Sequence, residues 1–296
     1  MHQQTILSIQ SCVSFGHVGN SAITFPLQKL GVEVWPIHTV LFSNHTGYGQ
    51  WGGKIIDPET VRQVFLGIEN RNVLPQCNAL LTGYMGSQEL GCVMKEILER
   101  LKIHCPHLIY CCDPVMGDEG RGFFVQEGIP KFFKEIMLPL ATFITPNHFE
   151  LEYLSEMKIN CLETAMQAAH KMIKKGPQVV VVTSLRLEDE QQVGFNKTLH
   201  VLALSQKEAY LITTPYVPVH LNGTGDLTSA LFTHFYMRHN SDLKKALEDT
   251  VSRVFCIIEE TYALGLKELT LIQGQKHLLE PRQYFSAQKI EKPTFY

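Results

Sequence analysis

The chain has 296 residues, 45% hydrophobic and 19% charged, the balance of a globular protein long enough to bury a substantial core. Its formal charge of −3 is spread along the chain and offers no basic face to nucleic acid or to a membrane surface. No apolar run reaches bilayer-spanning length, and the N-terminus lacks a basic stretch followed by a signal-length apolar one, so a cytoplasmic location is expected. Eight cysteines without a C-x-x-C pairing fit reduced thiols in such a compartment.

In chain order, Thr5 to Gln10 is an apolar, β-prone run, followed by the loop CVSFGHVGN and a helix over Asn20–Leu30 closed by Gly31. VEVWPIHTVLF predicts a strand that Pro36 assigns to a sheet edge or a bulge. The polar, glycine-rich SNHTGYGQWGGK then reads as a functional loop or small hairpin. Helices over 58–70 and 87–101 alternate with strands over 79–82 and 108–112, the latter ending at Asp113-Pro114. The loop VMGDEGRGFF leads to a helix over 126–137, a strand over 141–145 and a helix over 148–156. A helix over 162–174 stops at Gly176-Pro177, before VVVVTS, the most persuasive buried strand. KTLHVLAL and EAYLITT predict an antiparallel pair, and a helix over 241–262 follows the stretch HLNGTGDLTSALFTHF.

Strands alternating with helices of this length imply βαβ units and a mainly parallel sheet covered on both faces, here as one domain over residues 1–296. Ligands of such sheets bind beyond the carboxyl ends of the strands. Ser11, Tyr84, Asp113, Asn147 and Thr183 stand at those ends and are expected to share one crevice.

Gly223-Thr224-Gly225-Asp226 runs straight into an apolar-periodic helix, so its amides and the positive end of the helix dipole face the turn. That is an anion site, although Asp226 in the same place also suits a helix cap. The turn sits too late in the chain for a dinucleotide fingerprint, and there is no G-x-x-x-x-G-K-[ST] P-loop. Asp113 and Glu150 are the acidic candidates for a magnesium–phosphate site, although Asp-Pro turns and T-P-N-x-x-E helix starts carry the same residues without function. The loops around His17 and His45 combine hydroxyls, aromatics and glycines, a mix suited to a small polar aromatic ligand.

Taken together, SIQSCVSFGHVGN, HTVLFSNHTGYGQW, LTGYMGS, CDPVMGD, TPNHFELE and GTGDLTSA resemble, in order and spacing, the pyridoxal kinases of the ribokinase-like superfamily. The likeness spans nearly the whole chain and leans toward the bacterial PdxY-type branch. It implies a three-layer α/β/α sandwich and ATP-dependent phosphorylation of the 5′-hydroxyl of pyridoxal, with pyridoxamine or pyridoxine as further substrates, in vitamin B6 salvage. It implies Asp226 as general base, with Gly223, Thr224 and Gly225 as the anion hole. Ser11, Val18, His45, Thr46, Gly47 and Tyr84 would meet the pyridine ring. Asp113, Thr145 and Glu150 would lie along the ATP phosphates, with Asp113 and Glu150 toward metal. Thr183, Ser184, Thr214, Pro215, Tyr216 and Val217 would border the nucleotide. Magnesium, stimulation by potassium and a homodimer are implied as well. Two rivals share these motifs in part: a hydroxymethylpyrimidine kinase, and a vitamin B6-binding or reservoir protein with little turnover. Cys12, His17, Trp51, Phe123 and Phe124 read as packing or loop residues.

Overall fold

The structure, a computed structural model, describes residues 3–187 and 197–292. In order, β1 (Thr5–Val13), α1 (Asn20–Lys29), β2 (Glu33–Phe42), β3 (Gly53–Ile55), α2 (Pro58–Glu69), β4 (Ala79–Thr82), α3 (Gln88–His104) and β5 (Ile109–Cys112) form the first half. A small hairpin of β6 (Gly117–Asp118) and β7 (Gly122–Phe123) precedes α4 (Ile129–Phe132), β8 (Phe143–Ile144), α5 (His148–Ser155), α6 (Leu162–Ile173) and β9 (Val179–Leu185). Then come β10 (Thr198–Ser205), β11 (Ala209–Pro215), α7 (Thr224–Arg238), α8 (Leu243–Ala263), α9 (Lys276–Leu279) and β12 (Gln288–Lys289).

Strands β2, β1, β4, β5, β8 and β9 lie side by side and parallel, the result expected of βαβ connections. The antiparallel β10, β11 and β12 extend the sheet beyond β9, and β3 closes the other edge beside β2. Side chains alternate between the two faces as the two-residue period requires. Leu7, Leu80, Cys112, Ile144 and Val180 pack beneath α2, α3, α5 and α6. Ile6, Leu81, Cys111, Phe143 and Val181 pack against α1, α7 and α8. The three layers of the sequence reading are therefore present, and the adjacent Cys111 and Cys112 do point to opposite faces.

Local chemistry sets the helix starts. Asp57 caps α2 through the Thr60 amide (3.1 Å), with Pro58 in the first turn. Ser87 caps α3 through the Leu90 amide, and Asp242 caps α8 through the Lys245 amide. Pro36 is accommodated because β3 pairs only with Val40 to Phe42, which leaves the strand without a neighbour on that side at Pro36. The register slips by one residue only beyond it, between Gln10 and Cys12, while Pro36 itself pairs regularly with Ser8, so the open side and not a bulge accommodates it.

Two elements differ from expectation. The helix over 126–137 is α4 followed by a π-type turn (Phe133–Met137) and a 3₁₀ turn (Leu138–Leu140), because Gly128 and Pro130 delay its start and Pro139 removes a donor near its end. The strand over 141–145 pairs only at Phe143 and Ile144. Short as it is, β8 anchors the layers: the Phe143 ring meets Phe232 at 5.1 Å and Tyr236 at 5.4 Å on α7. Phe143→Ala is expected to cost about 3–5 kcal/mol in chemical denaturation. A loss below about 1 kcal/mol would show that α7 is held to the sheet by other contacts.

Candidate active site

At the carboxyl ends of the parallel strands, one cavity of about 300 Å³ collects residues from Ser11 to Ile258. All five strand-end residues, Ser11, Tyr84, Asp113, Asn147 and Thr183, line it. So do Val18, His45, Thr46, Thr145, Glu150, Ser184, Thr214, Gly223, Thr224, Gly225 and Asp226.

Gly223 is the N-cap of α7, with φ +86°, a conformation that favours glycine. A Cβ there would collide with the His17 carbonyl, so the β1–α1 loop presses directly on the turn. Gly225 has open space around it, which leaves the first-turn backbone accessible, and those amides have no acceptor within the helix. Asp226 is not the cap. It lies within the first turn and accepts a hydrogen bond from the Gly19 amide. Burial pushes its carboxyl above the ordinary range, and the Gly19 N–H opposes that shift. Gly19 also packs against Ser11, where a Cβ would clash with the serine backbone and hydroxyl. A single glycine thus joins Ser11, at the end of β1, to Asp226.

Asp113 and Glu150 share the cavity but not the same situation. Glu150 closes a capping box: Asn147 Oδ1 accepts from the Glu150 amide (2.8 Å), and Glu150 Oε2 accepts from the Asn147 amide (2.9 Å). Its Oε1 accepts from the Met116 amide at 3.0 Å. Burial still pushes Glu150 upward, against those amides. The structural reading of T-P-N-x-x-E is therefore real, and it coexists with a place in the cavity wall. Asp113, by contrast, has a buried Oδ2 without a hydrogen-bond partner, and the buried Thr145 Oγ1 is likewise unpartnered. Burial and the charges of Glu150 and Asp226 push Asp113 well above the carboxylate range.

Four sequence candidates do not line the cavity. Gly47 lies behind it, where a Cβ would come 2.9 Å from His45 Nδ1 and 3.0 Å from Asn222 Nδ2, so it shapes the loop from behind. Pro215, Tyr216 and Val217 turn away where β11 leaves the sheet, Tyr216 donating its amide to the Lys197 carbonyl at 2.9 Å. The chain returns to the cavity only at His220, Leu221 and Asn222. That part of the wall is instead built by Leu199 and Val201 on β10 and by Val251, Val254, Phe255 and Ile258 on α8. Sequence reasoning missed these because an i, i+3, i+4, i+7 apolar stripe looks the same whether it faces a core or a cavity.

Asp118, Arg121 and Phe124, from the β6–β7 hairpin, were also missed as lining residues. Arg121 is the only lysine or arginine on the wall among the described residues; its guanidinium lies over Phe124 (5.5 Å) and reaches Asn222 Oδ1 at 3.4 Å. Phe123 packs edge-on to Phe149 and Tyr153, and Cys12 lies off the cavity beside Ser21.

Comparison with known proteins bears on this geometry directly. The phosphomethylpyrimidine kinase family matches residues 38–271. A pyridoxal kinase PdxY from Rubrobacter xylanophilus is 46% identical over 96% of this chain and 97% of its own. The chain belongs to the pyridoxal kinases of the PdxY type. A pyridoxal kinase from Leishmania donovani in complex with ADP and ginkgotoxin superimposes with a TM-score of 0.90 at 28% identity, covering 98% of this chain and all of that one. The same kinase in complex with ADP and pyridoxamine gives a TM-score of 0.89 at 27% identity, with the same coverage. The ribokinase-like α/β/α fold and the kinase activity inferred from the motifs are thus both borne out.

The orphaned Asp113 gives pyridoxal kinases of this sequence a measurable stability signature. A carboxyl whose pKa is higher in the folded than in the unfolded chain binds more protons when folded, so stability falls as pH rises from the ordinary carboxylate range through the raised value. Asp113→Asn is expected to raise the melting temperature of the ligand-free protein near pH 7, by about 2–4 °C for each kcal/mol recovered. An unchanged or lower melting temperature there would mean that the Asp113 charge is already compensated.

Proposed function

We propose that the chain transfers the γ-phosphoryl group of ATP to the 5′-hydroxyl of pyridoxal, giving pyridoxal 5′-phosphate in vitamin B6 salvage. The observation that carries this reading is the junction of Ser11, Gly19, Asp226 and the Gly223–Gly225 turn, where a ring-binding wall meets an anion-binding helix start in one cavity. Ser11, Val18, His45, Thr46 and Tyr84 hold the ring. The amides of the glycine turn face the transferring phosphoryl group, whose oxygens carry the charge in the transition state. Asp226 accepts the alcohol proton as the new P–O bond forms. Thr183, Ser184 and Thr214, with the apolar stripe of α8, bound the nucleotide. Arg121 lines the wall and meets the phosphates in a site that has no P-loop lysine.

Among the described residues no group of three or more His, Cys, Asp or Glu side chains is placed to hold a metal unaided. Magnesium, however, takes one or two carboxylates and completes its shell with water and phosphate oxygens. Asp113, whose Oδ2 is buried, with Glu150 beside it, fits that requirement, and the Thr145 hydroxyl beside Asp113 would serve a monovalent cation such as potassium. Magnesium would supply charge neutralisation on the ATP phosphates. The eight unpaired cysteines support a reducing compartment such as the cytoplasm, and the exposed Leu41, Trp51 and Ile55 near the sheet edge support a homodimer.

Purified protein with Mg-ATP is expected to form phosphorylated product from pyridoxal, and from pyridoxamine or pyridoxine at rates ranked by the same assay. Hydroxymethylpyrimidine belongs in the comparison because the matching family is that of phosphomethylpyrimidine kinases. Faster turnover of that alcohol than of any B6 vitamer would transfer the assignment to it, and tight vitamer binding without turnover would favour the reservoir reading. Asp226→Asn is expected to retain ATP binding by calorimetry while losing at least about 10²-fold in kcat. Near-normal kcat in that variant would remove Asp226 from the base role.

A further inference from the structure

Glu268 lies between α8 and α9, outside every motif of the sequence and outside the cavity wall. Yet its carboxylate gathers three donors from two distant loops. Oε2 accepts from the His17 amide at 2.9 Å, and Oε1 accepts from His45 Nε2 at 2.8 Å and from the Tyr48 hydroxyl at 2.7 Å. Gly16 permits this approach: its φ is +90°, and a Cβ there would lie 2.5 Å from Glu268 Oε2. Burial favours the neutral acid, but the hydrogen bonds from Tyr48, His45 and His17 outweigh it and hold the group below the usual carboxylate range. An ionised carboxylate can only accept, so the imidazole of His45 must present Nε2–H to it. The ring is further fixed by stacking on Tyr48, with centroids 4.6 Å apart and planes 27° from parallel.

Both loops matter to the site. His45 is buried and lines the ring side of the cavity, and Tyr48 closes the same 3₁₀ turn as Thr46. His17 is the residue whose carbonyl presses on Gly223, so the residue gripped by Glu268 at its N–H bears through its own carbonyl on the turn before α7. We propose that Glu268 is a positioning residue for vitamin B6 binding, a carboxylate that fixes the His45 tautomer and clamps the 44–48 loop and the β1–α1 loop together around the ring. The inference rests on the reading that His45 and Thr46 hold the ring. The apolar wall on α8 and β10 is built from other elements, so the larger effect of the clamp falls on the ring side.

The test is steady-state kinetics on the full chain, wild type beside Glu268→Gln, with the KM for pyridoxal and for ATP measured separately and the melting temperature of each protein recorded. Glu268→Gln keeps the volume but loses the anion, and its KM for pyridoxal is expected to rise at least about tenfold while the KM for ATP stays within about twofold. Combined with His45→Ala, its effect should be less than multiplicative, since both changes break one contact. Tyr48→Phe removes a single donor from an exposed ring and provides the same reading if Glu268→Gln fails to fold; its KM for pyridoxal should rise about threefold. An unchanged KM for pyridoxal in a folded variant, parallel rises for both substrates, or fully multiplicative effects with His45→Ala would each overturn the proposal. A wild-type protein without turnover of any vitamer would overturn the functional reading and this inference with it, whereas an active wild type with an indifferent variant overturns the inference alone.

Discussion

The contact on which the site depends is the seating of the β1–α1 loop on the first turn of α7. It is possible only because Gly223 has no Cβ to meet the His17 carbonyl and Gly19 none to meet Ser11. Close packing of two backbones brings the Gly19 amide to Asp226, and so joins the β1–α1 half of the cavity to the α7 half through one hydrogen bond. A side chain at either glycine would not weaken one interaction; it would separate the halves. The sheet supplies the frame for this contact, since β1 and α7 pack on the same face through Ile6, Leu227 and Leu231.

Electrostatics then impose a second constraint. Asp113, Asp118, Glu150 and Asp226 converge on a wall where Arg121 brings the only guanidinium among the described residues. Desolvated like charges raise one another's affinity for protons and weaken the ligand-free fold. The cost is local and is relieved by positive charge. Such a wall favours a polyanion accompanied by its cation over the bare anion. Arg121 sits on a hairpin that the Arg186–Glu119 ion pair (2.7 Å) ties to the end of β9, so this guanidinium is held by its loop as well as by Phe124.

Much of this was legible in the sequence because the signals are local. The alternation of strands and helices follows from hydrophobic period, and the residue at each strand end could be named because a parallel sheet aims those ends at one crevice. GTGD announces itself, since glycines before an apolar helix have few other uses. What remained hidden depends on pairs far apart in the chain. Glu268 meets His17 across 251 positions and His45 across 223, and no spacing rule connects them. The α8 stripe carried the ordinary pattern of a buried face, and Pro215 to Val217, implied by the resemblance, do not line the cavity. Asp226 shows the limit from the other side: an acidic residue at a helix start suited a cap, and only the coordinates place it inside the first turn with its carboxylate turned to the loop before α1.

The cavity wall draws on residues from Ser11 to Ile258, in strand order that interleaves early and late segments of the chain. Such non-local assembly has a kinetic side. Topologies dominated by distant pairings fold slowly, because long loops must close before their contacts repay the entropy. Val251, Val254, Phe255 and Ile258, all on α8, are the last wall residues in chain order among the described residues, so the cavity is completed by a helix that synthesis delivers after every other part of its wall.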